Sequence, residues 1–208
     1  MKELGRGNAA SAALAIIFVI AATACGVEVT GQPQPQSSAL RLEPRQTDDQ
    51  GRTLPFRTNF KHRWNSSNNG STYEPCTSVT NVVQSKLGFI PNSARDSATV
   101  DGQTARGCRW RYPDSAWTIS QAVGNSPSLS SYKALNSTAI DWLADIVIDG
   151  RPVGVATDPS AGCTTYVQSG GAGVVTVASY IRLPTIPTSQ ICGRAISLTA
   201  ATISQIPR

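Results

Sequence analysis

Trp142-Leu143-Ala144-Asp145-Ile146-Val147-Ile148-Asp149-Gly150-Arg151-Pro152-Val153-Gly154-Val155-Ala156-Thr157 is the stretch that decides the fold. Asp149-Gly150 stands between two runs rich in β-branched residues. Asp-Gly accepts the positive backbone angles of a tight hairpin turn, so the two runs read as paired antiparallel strands. Asp141, Asp145 and Asp149 are four apart, which on a helix would line up carboxylates for a metal or an acid/base pair. On strands the same spacing leaves them along one solvated side, and this is the reading adopted.

Upstream, Cys108-Arg109-Trp110-Arg111-Tyr112 alternates, with Cys108, Trp110 and Tyr112 toward the core and Arg109 and Arg111 on the other face. The two arginines there are either simply solvated or available to an anionic head group or a partner carboxylate. Pro113-Asp114 turns the chain into a second alternating run, Trp117 to Val123, which completes a hairpin. Downstream, Cys163 to Gln168 and Gly173 to Arg182 are two more strands joined at Ser169-Gly170-Gly171-Ala172. A strand follows this glycine turn, not a helix N-terminus, so it is no phosphate cradle.

Helices flank the strands. Val79, Val82, Val83 and Leu87 fall on one helical face, and Gly88 stands where a C-terminal cap would. Pro184 and Pro187 end the sheet, and Thr188 can cap a helix running to about Ile206, with Ile191, Ala195, Leu198 and Thr202 as its apolar stripe. Ser128 to Leu135 is one or two helical turns. The fold expected is α+β: a mostly antiparallel curved sheet of five to seven strands, with a short N-terminal helix and a long C-terminal helix packed on it.

The first 25 residues address the chain elsewhere. Lys2 and Arg6 precede about a dozen apolar residues that end in Ala22-Thr23-Ala24-Cys25, the layout of an export signal and too short for a span. Ala22-Thr23-Ala24-Cys25 resembles a bacterial lipobox, with alanine where leucine is commonest. On this reading residues 1–24 are a signal peptide, and Cys25 carries lipid (palmitate or a similar acyl group) on the outer face of the cell membrane. Residues 25–53, rich in Gln, Pro, Ser and charge, have too little apolar surface to order themselves and form a disordered tether. Residues 54–208 form one domain, with Leu54, Phe56, Phe60 and Trp64 as an arm along it.

The whole chain carries 18 basic and 13 acidic residues, net +5. No lysine run or recognition motif accompanies this mild excess, so nucleic acid is not expected as a partner. An anionic membrane surface is compatible with it. With Cys25 acylated, Cys76, Cys108, Cys163 and Cys192 remain, an even number in an oxidising compartment, and two disulfides follow. Three pairings are possible; Cys76–Cys108 and Cys163–Cys192 are favoured because each joins elements close in sequence. A zinc site is not expected, because there is no Cys-x-x-Cys and the one histidine, His62, lies in a polar lead-in.

Trp64-Asn65-Ser66-Ser67-Asn68-Asn69-Gly70-Ser71-Thr72-Tyr73-Glu74-Pro75-Cys76, followed by a short helix and Cys108-Arg109-Trp110, resembles the actinobacterial lipoprotein family called domain of unknown function 3558. The resemblance covers about Phe56 to Arg208. It implies a disulfide-linked envelope lipoprotein, with Cys163 and Cys192 as the two later cysteines, and it implies no agreed activity and no catalytic residues.

Ser130-Ser131-Tyr132-Lys133 is formally a Ser-x-x-Lys, the nucleophile motif of penicillin-recognising acyl enzymes, but Lys-Thr-Gly is absent and the companion Ser-x-Asn has no convincing place. A Ser-Lys hydrolase is therefore the weakest of three readings, and no catalytic, cofactor or metal residues are assigned. The leading one is a monomeric, non-catalytic binding domain for a small apolar ligand or an envelope protein; an accessory subunit of a membrane complex is the other. Trp110, Tyr112, Trp117 and Tyr180 are the candidate lining if a ligand site exists, although core packing is the favoured job for each of them.

Overall fold

The computed structural model describes residues 43–158, 162–183 and 186–208. The signal at 1–24, Cys25, residues 26–42 of the tether and Pro184 lie outside the described residues. Among the described residues no helix is long and apolar enough to cross a membrane.

The strands are β1 (Arg95–Asp96), β2 (Ala105–Arg111), β3 (Trp117–Asn125), β4 (Asp141–Trp142), β5 (Ile146–Ile148), β6 (Arg151–Asp158), β7 (Gly162–Ser169) and β8 (Ala172–Tyr180). The helices are α1 (Pro75–Ser78), α2 (Asn81–Lys86), α3 (Leu129–Leu135) and α4 (Thr188–Thr202). The Asp149-Gly150 turn forms with both residues at positive φ, 49° and 71°, and sets Ile148 opposite Arg151. The three hairpins assemble in the order β1-β2-β3-β8-β7-β6-β4, antiparallel throughout, with β5 pairing β6 off this path. Eight strands form where five to seven are expected. The additions β1 and β4 are two residues each, too short to carry any period.

Helices α1 and α4 and the two cysteine bridges occupy one face. Cys76 of α1 is bonded to Cys108 of β2, and Cys163 of β7 to Cys192 of α4, with Cα separations of 5.1 and 5.0 Å. Each bridge fastens a helix to a strand. Ile191, Ala195, Leu198 and Thr202 of α4 are buried as the stripe requires. A polar network is buried beside them: Tyr73 donates to Gln121 at 2.7 Å, and Gln121 donates to Thr176 and Thr202 at 3.0 and 3.1 Å.

Three local expectations change. The helix read through Val79 to Leu87 is two helices, because Val79 leaves the helical region as the C-cap of α1 and Thr80 caps α2 instead, its hydroxyl accepting from Val83 N–H. Val79 is buried while Val82 is 65% exposed, so the apolar spacing reflected two separate turns. Thr188 is the first residue of α4, which begins after Pro187 and passes at Thr202 into a 3₁₀ turn, Ile203–Gln205. Finally, residues 43–53, placed in the tether by composition, pack on the body. Asp48 is buried, accepting from the backbone of Gln50 and Arg52 and from the Thr77 hydroxyl at 2.6 Å, and Thr47 bridges Thr53. Hydrogen bonds hold this segment, which apolar content cannot reveal.

Candidate functional site

The face turned away from α4 is built from small residues. Alternation puts Ala105 and Gly107 of β2, Ala122 and Gly124 of β3, and Gly173 and Val175 of β8 on it, in adjacent register positions. Over β6 and β7 this face is covered: Leu129 of α3 and Trp142 of β4 sit where a side chain at Gly154 would stand, at 2.6 and 3.0 Å from that position. Tyr166 of β7 lies across Gly173, whose missing side chain makes the room. Its ring meets Tyr132 of α3 with centroids 4.6 Å apart, and its hydroxyl donates to Gln168 at 2.5 Å. Burial pushes the Tyr166 and Tyr132 phenols above their ordinary pKa, so both remain neutral.

Over β2, β3 and β8 no helix among the described residues covers the face. A cleft of about 580 Å³ opens there, floored by Ala105, Ala122, Gly124 and Val175, with Tyr132 and Tyr166 on one side and the loop Ser66-Ser67 on the other. That loop belongs to the Trp64–Cys76 stretch. Asn125, the last residue of β3, holds it: its side-chain Nδ2 donates to Ser66 C=O at 2.7 Å, its backbone N–H donates to Ser67 C=O at 2.8 Å, and its side-chain Oδ1 accepts from Gly70 N–H at 2.7 Å. Asn68, fully buried, ties the loop together through Arg63 C=O and Asn65 N–H. The site has the size and mainly apolar lining of a ligand pocket.

Trp110, Tyr112, Trp117 and Tyr180 come together on the opposite face. They form a row with Phe89, centroids 4.9 to 6.0 Å apart, and the Arg194 guanidinium of α4 lies 4.3 Å from the Tyr112 ring and 4.4 Å from the Trp117 ring. Trp110 and Tyr112 are 2% and 6% exposed and pack in the main core. A second cleft, about 540 Å³ at the end of β2 and β3, touches Trp110, Tyr112 and Trp117 and is lined by Arg95, Arg109 and Arg111. The small-residue cleft is missing from the sequence reading. Its signal is a period of two in Gly and Ala on β2 (Ala105, Gly107), β3 (Ala122, Gly124) and β6 (Gly154, Ala156), opposite the bulky positions.

The remaining chemistry-bearing residues are dispersed. Lys133 donates to Asp145 at 2.6 Å, and the Ser130 and Ser128 hydroxyls are bonded to each other. Asp141, Asp145 and Asp149 are exposed, and His62 is bonded to Asp101 at 3.0 Å on the surface. Among the described residues no three His, Cys, Asp or Glu side chains gather as metal ligands would.

No curated protein and no solved structure matches the chain. The family described as "Protein of unknown function (DUF3558)" matches residues 20–205, nearly the whole chain, the Trp64–Cys76 stretch and all four bridged cysteines included. The chain belongs to this family, DUF3558.

Proposed function

We propose that this protein is an envelope lipoprotein, attached through acylated Cys25 to the outer face of the cell membrane, whose body binds an apolar ligand without chemistry of its own. The observation that carries the reading is the half-open sheet face. An uncovered antiparallel sheet normally turns polar side chains outward, whereas here the outward positions around the cleft are Ala, Gly and Val, walled by two neutral tyrosines. Two cysteine bridges and a lipobox-like Ala22-Thr23-Ala24-Cys25 support the exported, anchored part of the reading.

The test is titration of the protein with a long-chain probe whose fluorescence rises in apolar surroundings. Saturable binding that Gly124→Phe abolishes supports the reading; a side chain there points into the cleft, its nearest neighbour 3.6 Å from the new Cβ. Binding that is unsaturable, or unchanged by that substitution, contradicts it. A second reading, an accessory subunit of a membrane complex, is favoured by Leu135 at the end of α3, Leu143 just after β4 and Val147 of β5, which stand 81, 47 and 73% exposed. It is supported if a membrane protein co-purifies and is lost when these three become serine.

A further inference from the structure

We propose that the occupant of the open face is an anionic lipid, its chain on the small-residue floor and its phosphate between Arg109 and Arg111; this deepens the binding reading above and rests on it. Moving along β2 and β3, the cross-strand pairs on this face are Ala105 with Gly124, Gly107 with Ala122, Arg109 with Ser120 and Arg111 with Thr118. Two rungs bear nothing larger than a methyl group; the next two bear arginines beside hydroxyls. Arg95 of β1 pairs Arg109 and so adds a third guanidinium on the same face.

The charge there is uncompensated. Outward positions of β1, β2, β3 and β8 hold these three arginines and no acidic residue. Several other arginines have carboxylates, as Arg45 has Asp49, Arg52 has Asp48 and Arg182 has Asp114, while Arg151 is held by backbone carbonyls and Arg194 lies on the Tyr112 and Trp117 rings. Arg109 and Arg111 are exposed and have no acidic partner among the described residues, while Arg95 donates only to the carbonyls of Asn92 and Ala94. Guanidinium pairs suit phosphate oxygens, which they bind at two points. From Gly124 to Thr118 is six strand steps, roughly 20 Å, the reach of a long acyl chain laid along the sheet. The clefts at its two ends, about 580 and 540 Å³, share this one strand pair.

The experiment is calorimetric titration of the full chain with two single-chain lipids of equal chain length, one lysophosphatidic acid and one monoacylglycerol, and with inorganic phosphate. The expected result is at least tenfold tighter binding of the phosphate-headed lipid, an advantage that shrinks with added salt. The double variant Arg109→Gln/Arg111→Gln, whose thermal midpoint checks its folding, keeps the monoacylglycerol affinity and loses the advantage. Equal affinity for the two lipids, or an advantage that survives the double variant, overturns the head-group assignment and leaves the apolar cleft standing. Inorganic phosphate binding as tightly as the lipid overturns the amphiphile. Neither lipid binding overturns this inference and the cleft reading together.

Discussion

Arg63 and Glu74 form a two-point ion pair with neither side chain exposed, Nη1 to Oε2 at 2.7 Å and Nη2 to Oε1 at 3.0 Å. Burial opposes the charge on Arg63, but Glu74, and Asp96 at 2.9 Å from Nε, outweigh it and hold the guanidinium pKa above its ordinary value. Glu74 also caps α1, and Arg63 Nη2 reaches Gly107 C=O on β2, so one pair joins the loop, the first helix and the sheet. Removing one partner of a buried pair strands the other charge. Arg63→Met should cost about 3–5 kcal/mol, and Arg63→Met/Glu74→Met less than the sum of the two single changes. Urea unfolding of the four proteins checks this.

The Cys163–Cys192 bridge closes a separation of 29 residues between β7 and the helix that covers the core. Replacing both cysteines by alanine should destabilise by roughly 3–4 kcal/mol on the chain-entropy account. The urea midpoint of the variant, compared with that of the parent under non-reducing conditions, reads the loss.

Period and turn chemistry carried most of the sheet. Asp149-Gly150, the alternation through Trp110 and the α4 stripe are local signals, and the structure follows them. Three features were not legible for physical reasons. Arg63 and Arg106 look like surface charges in sequence, yet both are buried, the second donating to Ser71 and Tyr73 carbonyls at 2.8 and 2.9 Å. Only tertiary partners make that tolerable. The Val79 break depends on Thr80 as a competing cap. The cleft was hidden because small residues carry no hydropathy signal of their own; it exists through what Gly154 and Gly173 admit and what α3 leaves uncovered.

Gly107 lies on β2 where a side chain would stand 2.2 Å from Gln121 C=O and 2.6 Å from the Ala122 Cα. Both obstacles are backbone of the neighbouring strand, so β2 must shift away from β3. Gly107→Ala should therefore destabilise by about 1–3 kcal/mol or more, and Gly124→Ala, with its nearest neighbour at 3.6 Å, by much less. Thermal melts of the two variants give the comparison.

Asp48 sets part of the acid limit. Burial works against its charge, but bonds from the Thr77 hydroxyl, the Arg52 backbone and side chain and Gln50 N–H outweigh it, and the carboxyl pKa lies below its usual value. The folded value being the lower, Asp48 contributes stability above the unfolded carboxylate pKa, about 3.9, and that contribution fades as pH falls toward the folded value. Asp48→Asn should lose about 1–2 kcal/mol at pH 7 and show a flatter decline below about pH 4. Urea midpoints taken from pH 7 to pH 2 separate the two proteins.

The open sheet face is tested most directly by purifying the protein and its Gly124→Phe variant from the native envelope and identifying, by mass spectrometry of organic extracts, what each carries. The account predicts an acyl-chain amphiphile near one per molecule with the parent chain and little with the variant, at equal thermal stability. The same extract from both proteins, or no amphiphile with either, would contradict it.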